Sequence, residues 1–357
     1  MVGRLGNRFA DVRQIAVLRG GGLGDLLFAL PAVEALAAAY PEAEITLLGT
    51  PMHVALFEGR PSPFARIEVL PPRPGVRDGP EDSAASAAFR NRMRERAYDL
   101  AVQVHGGGRN SNPFLLELAA RHTVGLATED AAPLERMLPY LLYQHEVLRA
   151  LEVVALAGAA PVQLEPRLRL TEHECVRRQR ADHATPRTVV IHPGATDPRR
   201  RWPAAAFGEV AAELAADGAK VLVVGDETDK EAADEIVEVA GSPAVRNVAG
   251  QRSLAELVGL LVDCSLVVAN DSGPRHLGLA VGAPTVGIYW FGNVINASPL
   301  SRGRHRIQMS WTTHCPVCGR DVTQVGWTAV RCEHDDSFVA DIPVAAVLAD
   351  ARQLLRR

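Results

Sequence analysis

The chain has 357 residues, 47% of them hydrophobic and 22% charged, with a formal net charge of −4 at pH 7. That length exceeds one hydrophobic core and predicts two domains of about 150 to 200 residues each, while the composition excludes a disordered or collagen-like chain. The slight negative balance gives no general pull toward nucleic acid or anionic lipid, so any anionic ligand must be met by local basic groups.

In chain order, Gln14 to Leu18 reads as a short apolar strand, followed by the turn Arg19-Gly20-Gly21-Gly22-Leu23-Gly24-Asp25 and a predicted helix from Leu26 to Tyr40. Ile45 to Leu48 supplies the next strand, so the opening is Rossmann-like. The glycines stand at 20, 21, 22 and 24, and no GxGxxG dinucleotide fingerprint can be drawn through them. Two readings of Asp25 stand: a carboxylate projecting into a ligand cleft, or the cap of a tight strand-to-helix turn.

Residues 58 to 82, rich in Pro, Arg, Gly and acidic residues, predict a loop or mobile excursion. Leu100 to Val104 is a strand ending in His105-Gly106-Gly107-Gly108-Arg109, a second glycine-rich tip at the same sheet edge. A helix over 113 to 121, a strand over 123 to 126 and a helix over 140 to 158 follow. His145 on the last reads as a surface or core histidine. The mixed stretch 159 to 187 is the expected domain boundary.

The second half alternates in the same way. A strand from Thr188 to His192 ends at Gly194-Ala195-Thr196 and is followed by Arg199-Arg200-Arg201 and a helix to Asp217. A strand from Lys220 ends at Gly225-Asp226-Glu227. Ser253 and Glu256 form a capping box. Leu266 to Val268 is a buried strand broken by Asn270-Asp271-Ser272-Gly273, with Pro274 at the start of a helix that carries His276 and ends near Gly282. A helix start beside arginines suits a diphosphate, through orphan N–H groups and guanidinium forks. A carboxylate such as Glu227 at a neighbouring tip suits ribose hydroxyls. The competing reading of each is bland: a capped loop, a satisfied histidine, a solvated basic run.

No run reaches the about 18 apolar residues that a membrane span needs, and the opening MVGRLGNRFA lacks the apolar centre of a secretory signal. The expected location is cytoplasmic, with at most peripheral membrane contact. The five cysteines, an odd number, argue against a disulfide framework. No GxxxxGK[ST] loop or GxSxG elbow is present. If the second half holds a nucleotide diphosphate as leaving group, the first must hold an acceptor and a base, for which Asp25 is the best-placed carboxylate.

Three stretches carry a resemblance: IAVLRGGGLGDLLFALPAVEALAAAYPEAEITLL, IHPGATDPRRRWPAAAFGEVAAEL and VVANDSGPRHLGLAVGAPTVGIY. With them the chain resembles glycosyltransferase family nine, best known for ADP-heptose:lipopolysaccharide heptosyltransferases. The resemblance implies an α/β chain of GT-B fold, with two facing Rossmann-like domains of parallel sheets and a cleft between them. An acceptor-side domain over 1–170, a donor-binding domain over 186–338 and a C-terminal helix over 339–357 packing back toward the first domain are expected. By resemblance, Asp25 is the general base, Arg200 meets the donor phosphates, and Glu227 lies near the ribose. Asp271, Ser272, Gly273 and His276 surround the diphosphate and sugar, with Gly194, Ala195, Thr196 and Gly225 completing the donor tips. Gly22, Gly24, His105 and Arg109 belong to the acceptor side.

The implied reaction is inverting and needs no cofactor for catalysis. A sugar, heptose being one candidate, moves from a nucleotide-diphosphate donor such as ADP-heptose to a glycan or glycolipid acceptor. The alternatives are a nucleotide-sugar epimerase or hydrolase, and a binding protein without catalysis. The run of three glycines at 20 to 22 and the insert at 71 to 82 depart from the family on the acceptor side. Cys315, Cys318, Cys332 and His334 form a CxxC knuckle followed by Cys and His; a structural zinc site, reduced thiols and a labile disulfide are the three readings.

Overall fold

The computed structural model describes residues 4–181 and 187–356, so residues 182–186 of the expected boundary stretch lie outside the described residues. The chain divides into two compact units, Met1–Arg169 and Leu170–Arg357.

The first unit runs β1 (Gln14–Leu18), α1 (Leu23–Ala39), β2 (Glu44–Gly49), α2 (Pro51–Phe57), β3 (Arg66–Val69), α3 (Ser83–Glu95), β4 (Leu100–Gln103), α4 (Ser111–Leu116), β5 (His122–Ala127), β6 (Arg136–Pro139) and α5 (Glu146–Ala155). Its six strands lie in the order β3-β2-β1-β4-β5-β6, every pair parallel. Central β1 is covered on both faces, and Ile15, Ala16, Val17 and Leu18 are buried. That is why it reads as an unbroken apolar run rather than an alternation.

The second unit runs α6 (Glu172–Ala181), β7 (Thr188–His192), α7 (Ala204–Ala216), β8 (Lys220–Val223), α8 (Lys230–Ala240), β9 (Val245–Asn247), α9 (Leu254–Asp263), β10 (Leu266–Asn270), α10 (Gly273–Ala280), β11 (Thr285–Trp290), α11 (Phe291–Ala297), β12 (His305–Ser310) and α12 (Val344–Leu355). Its parallel sheet has the order β12-β11-β10-β7-β8-β9. Each unit thus winds outward from its first strand in one direction and returns beside it in the other. Both are doubly wound sheets with a switch point, between β1 and β4 and between β7 and β10. Ligands of such sheets bind at the carboxyl ends of the strands flanking that point.

Several elements differ from the sequence expectation. The stretch 58–82 contains the edge strand β3 and a tight turn in which the Arg73 N–H donates to the Arg77 carbonyl at 2.9 Å. The turn is tied down by Arg73, which reaches both Glu117 oxygens at 3.0 and 2.9 Å. The helix expected from 140 begins at Glu146, where His145 Nδ1 caps the Val147 N–H. Helix α6 falls inside the expected linker and joins the second unit, held to α9 by the Arg177–Asp263 pair. Val347, Leu348, Ala351 and Leu354 of the C-terminal helix α12 join the core of the second unit.

Candidate functional site

In the first unit the chemistry gathers at the tip of β1. Gly21 has φ +83°, and a Cβ there would lie 2.5 Å from an Asp25 carboxylate oxygen, so only glycine permits this turn. Asp25 Oδ2 accepts the Gly22 N–H at 2.9 Å, closing the N-terminus of α1. Its Oδ1 accepts from Arg19 Nη2 at 2.7 Å, and Arg19 Nε donates to the Asp25 carbonyl at 2.9 Å. The capping reading of Asp25 is what this geometry shows. One oxygen caps the helix and the other is gripped by a guanidinium, while the side chain stays 47% exposed.

Arg19, whose side chain is 7% exposed, also donates to the Val104 carbonyl and lies 3.7 Å from Glu146. His105 sits beside this tip, its Nε2 3.1 Å from the Gly75 carbonyl. Burial first, then the Arg19 charge, draws its pKa down. An open hollow of about 480 Å³ lies over the tip, lined by Gly21, Gly22, Thr50, Arg77, Asp78 and His105 among others. Arg109 does not join it and pairs with Asp130 at 3.3 Å on the surface. Gly24 lies in the first turn of α1.

In the second unit the tips of β7 and β10 meet at the switch point. Asn270, fully buried, donates to the Pro193 carbonyl at 2.5 Å and accepts the Trp202 N–H at 3.1 Å, clipping the two tips together. Asp271 and His276, both buried, are joined through Oδ1 and Nε2 at 2.9 Å. Arg275 Nη1 lies 3.0 Å from His276 Nδ1; as arginine only donates, Nδ1 accepts and Nε2 carries the proton shared with Asp271. Arg200 Nη1 reaches Asp271 Oδ2 at 3.3 Å. Burial alone would raise the Asp271 pKa, but His276, Arg200 and Arg275 together hold it below its ordinary value.

The three consecutive arginines divide their work. Arg199 is buried, grips Asp197 at 2.6 Å and lies over the Phe338 ring. Arg201 turns back to the Ala195 carbonyl at 2.9 Å. Arg200 alone of the three faces Asp271. Arg200, Asp271 and His276 are thus joined at the start of α10, where Ser272 and Gly273 open the helix, while Gly194 lies against Asp229, Ala195 takes Arg201 and Thr196 is exposed. Glu227 stands apart: it is 70% exposed and paired with Lys230 at 2.6 Å.

The sequence profile of Glycosyltransferase family 9 (heptosyltransferase) matches residues 86–320, more than half of the chain. The chain belongs to glycosyltransferase family 9. It is 26% identical over 313 residues to lipopolysaccharide heptosyltransferase 2 of Salmonella typhimurium, spanning 83% of this chain and 88% of that protein. Its fold is similar to the solved structure of E. coli ADP-heptose lps heptosyltransferase II, with TM-score 0.72, 21% identity and coverage of 96% and 98% of the two chains. It is also similar to the iron-containing dodecameric glycosyltransferase TibC of enterotoxigenic E. coli H10407, with TM-score 0.55, 15% identity and coverage of 99% and 77%. The fold is therefore GT-B, and this family 9 chain is a glycosyltransferase.

The family 9 chain carries one further cluster. The ligand atoms of Cys315, Cys318, Cys332 and His334 lie within 4.8 Å of one another. The buried Nδ1 of His334 has no hydrogen-bond partner, and a ring with an unsatisfied nitrogen in the company of three cysteines is chemistry that suits a metal. Hydrogen bonding from the Cys318 backbone, foremost, pulls the Cys315 thiol below its ordinary pKa. The donor set fits a closed, tetrahedral S₃N site. The lobe packs through Cys315, Val322, Cys332 and Phe338. The Phe338 N–H donates to the Arg199 carbonyl and the Ser337 hydroxyl to the Arg201 carbonyl, each at 2.6 Å, so the lobe braces the arginine turn.

Sequence reasoning missed four residues of this family 9 chain: Arg19 behind Asp25, and His192, Asp229 and Arg275 behind the second-unit tips. His192 carried the one available signal, a polar residue ending an apolar strand beside a glycine tip. Arg275 is fully buried against Tyr289, its guanidinium 5.3 Å from the ring centre.

Proposed function

We propose that this enzyme transfers a heptose from ADP-heptose to a hydroxyl of a lipopolysaccharide-type glycan or glycolipid, by a single inverting displacement. Support comes from the heptosyltransferase relatives named above. Within this chain it comes from one observation above the rest: the Arg200–Asp271–His276 cluster at the start of α10, which joins a guanidinium to a helix N-terminus.

In this reading Asp25 takes the proton of the acceptor hydroxyl as its oxygen attacks the anomeric carbon. The bond from that carbon to the diphosphate oxygen breaks, and its electron pair leaves with ADP. Arg200, Ser272 and the first N–H groups of α10 take up the charge that develops on the diphosphate. Asp271 holds His276 in the tautomer whose Nε2–H it receives. Because these groups answer the leaving-group charge, the reading assigns that task to the protein and to no metal. Arg19 keeps Asp25 aimed, and the hollow over the β1 tip receives the acceptor.

The Cys315, Cys318, Cys332 and His334 set would hold one zinc ion in a structural role, with four protein ligands and no open position for substrate. Its service is to fix the lobe that braces the arginine turn. The reaction belongs to the cytoplasm in this proposal, with at most peripheral contact to a membrane. Among the described residues no helix is long and apolar enough to cross one.

The test is ADP-heptose labelled in the sugar, incubated with a deacylated lipopolysaccharide core. Label in the acceptor with inverted anomeric configuration is expected, with the donor stable when the acceptor is omitted. Rapid donor consumption without acceptor would favour a hydrolase or epimerase and overturn the reading.

A further inference from the structure

Ser272 is the N-cap residue of α10, yet its side chain makes no capping bond. Its Oγ lies instead 3.0 Å from His192 Nδ1. On the far side of the ring, His192 Nε2 lies 3.4 Å from Asp229 Oδ2. Three segments distant in sequence thus align one hydroxyl, one imidazole and one carboxylate, and both His192 and Asp229 are buried.

The backbone is cut back to admit the carboxylate. A Cβ on Gly194 would sit 2.3 Å from Asp229 Oδ1, and one on Gly225 would sit 2.4 Å from Asp229 Cβ. These two glycines, read from sequence as tips that approach a ligand, make room for Asp229. The Asp226 N–H donates to Asp229 Oδ2 at 3.1 Å. Burial, the largest influence, would raise the Asp229 pKa, but His192, the Asp226 N–H and Arg201 together hold it below its ordinary value, so the group is a carboxylate.

A carboxylate beside Nε2 keeps the ring proton on that nitrogen. In the neutral ring Nδ1 then only accepts, so it holds the Ser272 hydroxyl proton and Oγ shows lone pairs outward. When the ring gains a second proton, Nδ1–H donates to Oγ and the hydroxyl hydrogen is released toward whatever lies above the tip. An anion favours the second state. The charged groups facing the pair are Asp229 and, acting on it, Arg201. Asp271, next to Ser272, is engaged with His276 and Arg200.

We propose that His192 and Asp229 are a positioning pair that turns the Ser272 hydroxyl into a donor toward the diphosphate of the nucleotide sugar, with His192 taking up one proton from solvent as the diphosphate binds. The inference rests on the donor-site reading above and names the device by which that site answers a diphosphate. Neither residue touches the reacting atoms; both act through Ser272.

Calorimetric titration of ADP into the full chain at pH 8, in buffers of differing ionisation enthalpy, tests this without any variant. Net proton uptake is expected on ADP binding and none on adenosine binding. His192→Asn abolishes the uptake and weakens ADP by about tenfold or more, the scale of a hydrogen bond to a charged group, while adenosine affinity stays put. Ser272→Ala weakens ADP similarly, and adding His192→Asn to it costs nothing further. In turnover assays each variant raises the KM for donor and leaves the KM for acceptor unmoved. Wild-type binding of ADP without proton uptake, or strictly additive effects of the two substitutions, overturns the pair. Failure of the wild type to bind ADP at all overturns the donor-site reading, and this proposal with it.

Discussion

His53 is fully buried under the glycine tip of β1, where its Nδ1 accepts the Thr50 N–H at 3.1 Å. Burial, the largest influence, draws its pKa from 6.5 to about 4. The native pKa lies below the unfolded one, so the neutral ring contributes stability that is complete above about pH 6.5 and is lost as pH falls toward 4. The slope is about 1.4 kcal/mol per pH unit, roughly 3 kcal/mol over that window. Denaturant midpoints measured between pH 7 and 4.5 will fall along this slope in the wild type and flatten in His53→Gln; an unchanged slope in the variant contradicts the assignment.

Arg199 and Arg200, adjacent in sequence, separate structure from function. Arg199→Ala removes the Asp197 grip and the Phe338 contact, and will lower stability by about 1–3 kcal/mol. Arg200→Ala leaves the melting temperature nearly unchanged and weakens ADP binding by about ten- to a hundredfold. Thermal shift and ADP titration of both variants decide it, and a reversed pattern would reverse the roles. Gly194→Ala forces a methyl against the Asp229 carboxylate and will cost about 1–3 kcal/mol by the same thermal measurement; an unaltered melting temperature contradicts the close approach.

At the scale of elements, the lobe containing Cys315, Cys318, Cys332 and His334 supports the arginine turn through Ser337 and Phe338. Elemental analysis of purified protein is expected to find about one zinc per chain. Its removal by a chelator will weaken ADP binding without touching Asp25. Iron in place of zinc would change the ion and keep the site, whereas no metal at all would leave three reduced thiols.

The β10–α10–β11 segment was legible because its strand is buried on both faces, Pro274 marks the helix start and Gly282 its end. The capping box of Ser253 and Glu256 was legible as a local pattern, and α9 starts there. Four-residue edge strands such as Arg66–Val69 and Arg136–Pro139 were not, since too few of their side chains enter a core to leave a period. Helix α6 has charged residues on most sides, and its hold on α9 is an ion pair that no hydrophobic stripe announces. Asp25 was legible from its glycine turn, but Arg19 was not linked to it. His192 was not legible as part of the site because its partner Ser272 lies 80 positions away. Only the parallel pairing of β7 with β10 brings them together.

Across the whole molecule, two sheets of one winding order each present glycine-cut tips at the carboxyl ends of their central strands. That repetition was legible in the alternation of apolar runs and glycine tips, and family 9 membership assigns the chain to glycosyl transfer. The central claim is that Asp25, held by Arg19 and the Gly22 N–H, is the base of that transfer. The most direct measurement pairs ADP titration with turnover of ADP-heptose and acceptor in the wild type and Asp25→Ala. The predicted result is unchanged ADP affinity with turnover reduced by roughly 10²–10⁴-fold, the range of a lost general base. Turnover in the variant within a few fold of the wild type would contradict it.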